Sequence, residues 1–203
     1  MAAPALFPAD WIRAADGAPA DDLALAVLLV NSLDHLADPP DRLATIDWYA
    51  AVLNATGHPG QAAALRPADV PGLTVLRDGL RATFTADTTE AAAAALNPLL
   101  LSAGAIPVLV AGPGGSAGLA VAPGGAGAGA LAARLPAAVA DFIARYGLRR
   151  LGSCAARPCA SVFVDRTRAA NRRYCCDLCN DRAAASAYRR RQSLPHQIPP
   201  PRA

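Results

Sequence analysis

"CAARPCASVFVDRTRAANRRYCCDLCNDRAAASAYRRR", residues 154–191, contains all five cysteines of the 203-residue chain. Cys154 and Cys159 form one close pair, C-x4-C. Cys175 or Cys176 forms another with Cys179, C-x3-C or C-x2-C. Two close cysteine pairs on either side of a short loop can close a tetrahedral thiolate site around one zinc ion. The spacing alone leaves Cys175 and Cys176 both open as third ligand. Four sulfur ligands leave no position for water, so the zinc is expected to be structural. A module of about thirty-five residues cannot bury a sufficient core, so metal binding has to supply its folding free energy. An iron–sulfur cluster fits less well, because the usual cysteine-rich run is missing. Disulfides are disfavoured in the reducing, cytoplasmic compartment expected for this chain.

The same stretch is crowded with arginine. There is no lysine, and all 19 basic residues are arginine. Twelve of them lie in residues 145–191, beside only Asp165, Asp177 and Asp181. The rest of the chain holds seven arginines against thirteen acids, so an acidic body carries a basic end. The formal net charge of +3 conceals that division. A basic end of this kind suits a polyanion. Arginine's planar fork matches phosphate oxygens. The candidate nucleic-acid contacts are Arg168, Arg172 and Arg173 on the loop between the cysteine pairs, with Arg182, Arg189, Arg190 and Arg191 on a following helix. Arg182, Arg189 and Arg190 can share a face of that helix. A plainer reading pairs Arg166 and Arg168 with Asp165 and Asp177. It also places Arg149 and Arg150 at a joint with the acidic body.

Upstream the pattern is mostly helical. "LALAVLLV", residues 23–30, opens a buried helix capped by Asp21 or Asp22 and expected to run to about residue 36, ahead of "DPP". A second helix is expected from near Asp41, with Leu43, Ile46, Tyr49, Ala50 and Leu53 on one face. A third spans 70–84 through Leu73, Leu76 and Leu80. A fourth covers "TTEAAAAALNPLLLSAG", residues 88–104, with Pro98 as a weak point. "IPVLVAGPGGSAGLAVAP", residues 106–123, reads as a β-hairpin; its "GPGGSAG" lacks the Lys-Ser/Thr of a phosphate loop. "GGAGAGA" reads as a flexible connection, and a helix follows over 131–146, stopped by Gly147. Val162, Phe163 and Val164 offer a short strand within the finger. The fold class is α+β: a mostly helical N-terminal domain with one hairpin, then a small four-cysteine finger with a basic helix. The divisions are 1–20 (a loose lead-in), 21–147, 148–192 and 193–203 (a polar, Pro-rich tail). Nothing at the start reads as a signal peptide, and the longest apolar run is too short to span a bilayer.

The chain resembles the Cys-Gly-Asn-Arg (CGNR) zinc finger proteins of bacteria. The resemblance runs through "LRRLGSCAARPC", "FVD", "RTRAANRRYC" and "CNDRAAASAYRRR". In those proteins the finger follows an N-terminal domain of the ABATE type, described as a stress-induced transcription regulator. The opening "LALAVLLVNSLDHLADPPDRLATIDWYAAV", including Asn31, is similar to that domain's first helices. The resemblance implies Cys154, Cys159, Cys175 and Cys179 as zinc ligands, with Cys176 where serine is common. The signature tetrapeptide reads Cys179-Asn180-Asp181-Arg182, with Asp181 in place of an asparagine. It implies a DNA-binding transcription regulator whose N-terminal domain meets a small-molecule ligand or a partner. Two other readings remain: an adaptor docking an acidic protein, and a redox switch built on Cys176. No catalytic motif is readable; His35, His58 and His196 are scattered, so an enzyme is not expected.

Overall fold

The computed structural model describes residues 7–8, 11, 20–111, 117–122 and 127–193. Seven α-helices and two hairpins are seen among them. The first helix, α1 (Asp22–Val30), is capped by Asp21, whose carboxylate accepts from Ala24 N at 2.7 Å. Every residue from Leu23 to Val30 is buried. A helix that is apolar all round has no solvent face and must sit at the centre of its domain. Here α6 (Ala128–Tyr146), α4 (Val70–Phe84), α2 (Asp47–Ala55) and a strand of the finger all pack against it.

The helix is shorter than its sequence suggests. It stops at Asn31 instead of running to residue 36, and Leu33 pairs with Asp41 in an isolated bridge. Asp34 organises this turn by holding Arg42 at 3.0 Å. The second helix also begins later than expected. Arg42–Ala44 forms a single 3-10 turn, and α2 starts only at Asp47. Leu43, Ile46, Tyr49 and Leu53 are nonetheless all buried, because the 3-10 turn keeps Leu43 on the inner side. A short helix, α3 (Pro59–Ala64), follows the "TGHPG" stop and has Pro59 in its first turn, where proline's missing N–H costs nothing.

Helix α4 has the expected bounds, with Leu73, Leu76 and Leu80 inward. Thr88 caps α5 (Thr89–Ser102), accepting from Ala91 N at 3.1 Å, and Pro98 lies within the helix without ending it. The hairpin pairs β1 (Pro107–Ala111) with β2 (Ala117–Val121), Leu109 opposite Leu119; its "GPGG" turn lies outside the described residues. Helix α6 begins within the Ala/Gly tract, at Ala128, and ends at Gly147, whose φ of 83° suits a residue without a Cβ. Of the stretch expected to be loose, Trp11 is 7% exposed and belongs to the core. The tail beyond residue 193 lies outside the described residues.

The finger is small: β3 (Leu151–Ser153), β4 (Val162–Val164) and α7 (Asp177–Ser193). β3 and β4 pair antiparallel, with Gly152 opposite Phe163. A Cβ on Gly152 would come within 2.9 Å of the Phe163 ring, so glycine is what lets that ring lie flat on the strand. The finger does not stand apart from the helical body. One continuous core runs from Trp11 through α1 and α6 to the cysteines. Asn31, fully buried at the end of α1, donates from Nδ2 to Val162 O at 3.0 Å and accepts from Val162 N at 2.7 Å. Its amide thus takes the place of a neighbouring strand for β4. Arg81 on α4 donates to Ala160 O at 2.9 Å and to Val30 O at 2.7 Å, bridging finger and body. Arg166 meets Asp21 at 2.6 Å.

Candidate metal centre and basic surface

Cys154 and Cys159 flank a tight knuckle after β3, held by Cys154 N to Ser161 O at 2.9 Å and Cys159 N to Ala156 O at 3.0 Å. Cys175 lies just before α7, and Cys179 in its first turn. The two arms are tied together by Ala155 N donating to Arg173 O at 2.9 Å. All four sulfurs are buried and lie within 4.8 Å of one another. Cys159 Sγ is 3.7 Å from Cys175 Sγ, which is 3.6 Å from Cys179 Sγ.

These distances discriminate between the sulfur chemistries. A disulfide needs sulfurs about 2.05 Å apart. A zinc tetrahedron with Zn–S of about 2.3 Å has edges of about 3.8 Å, close to the separations seen. The protonation pattern agrees. The Cys159 thiol is pushed down to about 4, chiefly by its hydrogen bond with Cys175 and against burial, with Ser161 also contributing. That first negative charge then works against its neighbours. Cys175 is pushed up by its contact with Cys159, then by burial, and Cys179 is pushed up to about 12, chiefly by burial. With Cys175 and Cys179 pushed up, all four sulfurs become thiolates together only around a cation that neutralises them. The site therefore fits one structural zinc held by Cys154, Cys159, Cys175 and Cys179. Arg182 adds a donor 3.3 Å from Cys179 Sγ, and the start of α7 points its positive dipole end at the cluster.

Cys176 stands outside the group of four. Its sulfur lies 3.8 Å from that of Cys175. Cys176→Ser is expected to keep one zinc per chain, and Cys175→Ser to lose it, when metal content is measured on purified protein. The opposite pattern would place the ligand at the two-residue spacing.

The arginines divide into three groups. The first is structural. Arg172 donates from Nε to Tyr174 O at 2.8 Å and from a terminal nitrogen to Cys175 O, with its guanidinium over the Phe163 ring. Arg172 is thus taken up inside the finger, not extended from it as its place in a basic run suggests. Arg150 likewise donates to Asp165 O and Thr167 O instead of reaching the acidic body. Asp165 does not pair with Arg166, which meets Asp21 instead, nor is it seen in an ion pair with Arg168. Its carboxylate accepts from Thr167 N, Thr167 Oγ1 and Arg172 N, which pins the inter-cysteine loop. Burial opposes its charge, but these donors and the nearby Arg150 hold its carboxyl below the ordinary value.

The second group lines an open groove of about 670 Å³ between the knuckle and α7. Arg173, Arg182, Arg189 and Arg190 are there as the sequence suggests, with Arg182 also donating to Ala156 O at 3.2 Å. Arg157, in the knuckle, is a fifth that sequence reasoning missed, because the direction of a knuckle side chain is not encoded in cysteine spacing. Tyr174 adds an aromatic wall. No acidic side chain lines this groove among the described residues. Arg168 and Arg191, the third group, are exposed but lie outside the groove.

A helical body carrying a four-cysteine site with an arginine-lined groove defines a zinc finger protein. The comparisons specify it further. Residues 23–146 match the model of the ABATE family, described as "Putative stress-induced transcription regulator", and residues 150–192 match the CGNR zinc finger. The chain belongs to the ABATE family and ends in a CGNR finger. No curated protein matches it. No helix among the described residues is long and apolar enough to cross a membrane.

Proposed function

We propose that the protein is a non-catalytic transcription regulator that binds duplex DNA through the groove between the knuckle and α7. The observation that carries this reading is the five-arginine lining with no acidic residue among the described ones. Zinc fixes the two walls of the groove, since Arg157 lies between Cys154 and Cys159 and Arg182 stands three residues after Cys179 on α7. Arginine forks spaced along a helix meet successive phosphates, and these contacts give affinity and position without reading sequence. The acidic body keeps non-specific binding moderate through long-range repulsion.

The test is fluorescence anisotropy of full-length, zinc-loaded protein on a random duplex, titrated at several salt concentrations. Affinity should fall steeply with salt, with a log–log slope of about 0.9 per phosphate contacted. Replacing Arg157, Arg173 and Arg189 with alanine should flatten that slope by about 2 to 3 units. Absence of binding even at low salt would exclude DNA and redirect the groove to an acidic protein.

A further inference from the structure

A second cavity, of about 570 Å³, lies where the body meets the finger. Its walls are the end of α6, the start of α1 and the loop joining the two cysteine pairs. That volume is in the range of small-molecule sites. Its floor is apolar and aromatic: Phe142 and Tyr146 have ring centroids 5.0 Å apart, and Tyr146 is 59% exposed.

The charges around it do not balance. Its wall carries four carboxylates and three guanidiniums, and each carboxylate has a positive group at hand, Arg134 and Arg145 reaching in from beside the wall and Arg150 lying near Asp165. Asp21 holds Arg166 at 2.6 Å, Asp22 holds Arg134 at 2.5 Å, Asp141 holds Arg145 at 2.8 Å, and Asp165 accepts from Thr167 and Arg172. Of the wall's guanidiniums, Arg166 is paired with Asp21 and Arg150 lies near the Asp165 carboxylate. Arg150 also donates to two backbone carbonyls, whereas Arg168 has no acidic partner among the described residues. The unmet charge is the Arg168 guanidinium, which lines the same cavity as the exposed Tyr146 ring.

We propose that this seam cavity binds a small aromatic monocarboxylate, its ring against Tyr146 and its carboxylate on Arg168. Such a ligand touches α6 and the inter-cysteine loop at once, so it reports from body to finger. Binding itself does not depend on DNA; only its consequence rests on the regulator reading above. Neutralising Arg168 lowers the positive potential of the finger, which weakens DNA binding by about two- to fivefold.

The test is isothermal titration calorimetry of 1-naphthoate into full-length, zinc-loaded protein, with neutral 1-naphthamide as control. Saturable one-to-one binding is expected for 1-naphthoate and none for 1-naphthamide. Arg168→Gln and Tyr146→Ala, both at exposed positions, should each weaken 1-naphthoate at least tenfold. Failure of 1-naphthoate to bind, equal binding of the amide, or wild-type affinity in Arg168→Gln would each overturn the assignment. At saturation, 1-naphthoate should weaken duplex binding by wild type and not by Arg168→Gln. Lost ligand binding with intact DNA binding overturns the cavity's role alone. Intact ligand binding in a protein that never binds DNA overturns the regulator reading and leaves the cavity assigned.

Discussion

Cys179→Ser is expected to lose zinc and to destabilise the whole chain, not only its last fifty residues. From the sequence, the finger reads as a separable module whose loss leaves the helical body intact. The structure argues otherwise. Val162 and Phe163 of the finger and the cysteines belong to the same buried cluster as α1. Structural zinc sites contribute about 10–16 kcal/mol to folding in isolated fingers. Without the metal, buried sulfurs are left uncompensated and the knuckle loses its register. Val162 then releases Asn31, and Ala160 releases Arg81, so the damage reaches α1 and α4. Metal content and circular dichroism should show zinc lost together with a large fall in melting temperature of the full chain. Cys154→Ser should behave alike. An unchanged melting transition for the body in both variants would show that finger and body fold independently.

Asn31→Ala is the second large effect, and it leaves every zinc ligand in place. Both backbone groups of Val162 lose their partner in a site that water does not reach. An unsatisfied buried donor or acceptor costs about 1–3 kcal/mol, so the pair should cost about 2–6 kcal/mol. For a chain of this size that corresponds to a melting temperature lower by about 5–25 °C. Zinc content should remain at one per chain in the native protein, because β4 carries no ligand. Thermal denaturation beside metal analysis checks both statements. Wild-type stability would mean that Asn31 is not the joint between body and finger.

The parts of this fold that local chemistry dictates could be read in advance. Thr88 or Thr89 is legible as the cap of α5, and Thr88 takes that place; Gly147 stops α6, and the apolar spacing of α4 gives its bounds. The four sulfurs follow from cysteine spacing together with the family resemblance, which separates Cys175 from Cys176. Long-range pairings were not legible. Asn31 ends α1 early, and its partner Val162 lies 131 residues away. No helical periodicity marks that stop, because the apolar positions continue as far as Leu33 and Leu36. The arginines were legible as a charge excess but not as individuals. Arg172 sits among identical neighbours, yet only its guanidinium turns back onto Tyr174 and Cys175 carbonyls, a choice set by packing around Phe163. The seam cavity is likewise made by α6 and a loop whose meeting no motif announces.

On the function proposed above, zinc holds the arginine groove together on the helical body and the groove binds DNA. Duplex affinity of the full-length protein, measured before chelation, after complete zinc removal and after zinc is restored, tests it most directly. Binding should be lost with the metal and regained with it. Equal affinity in the zinc-free protein would contradict it.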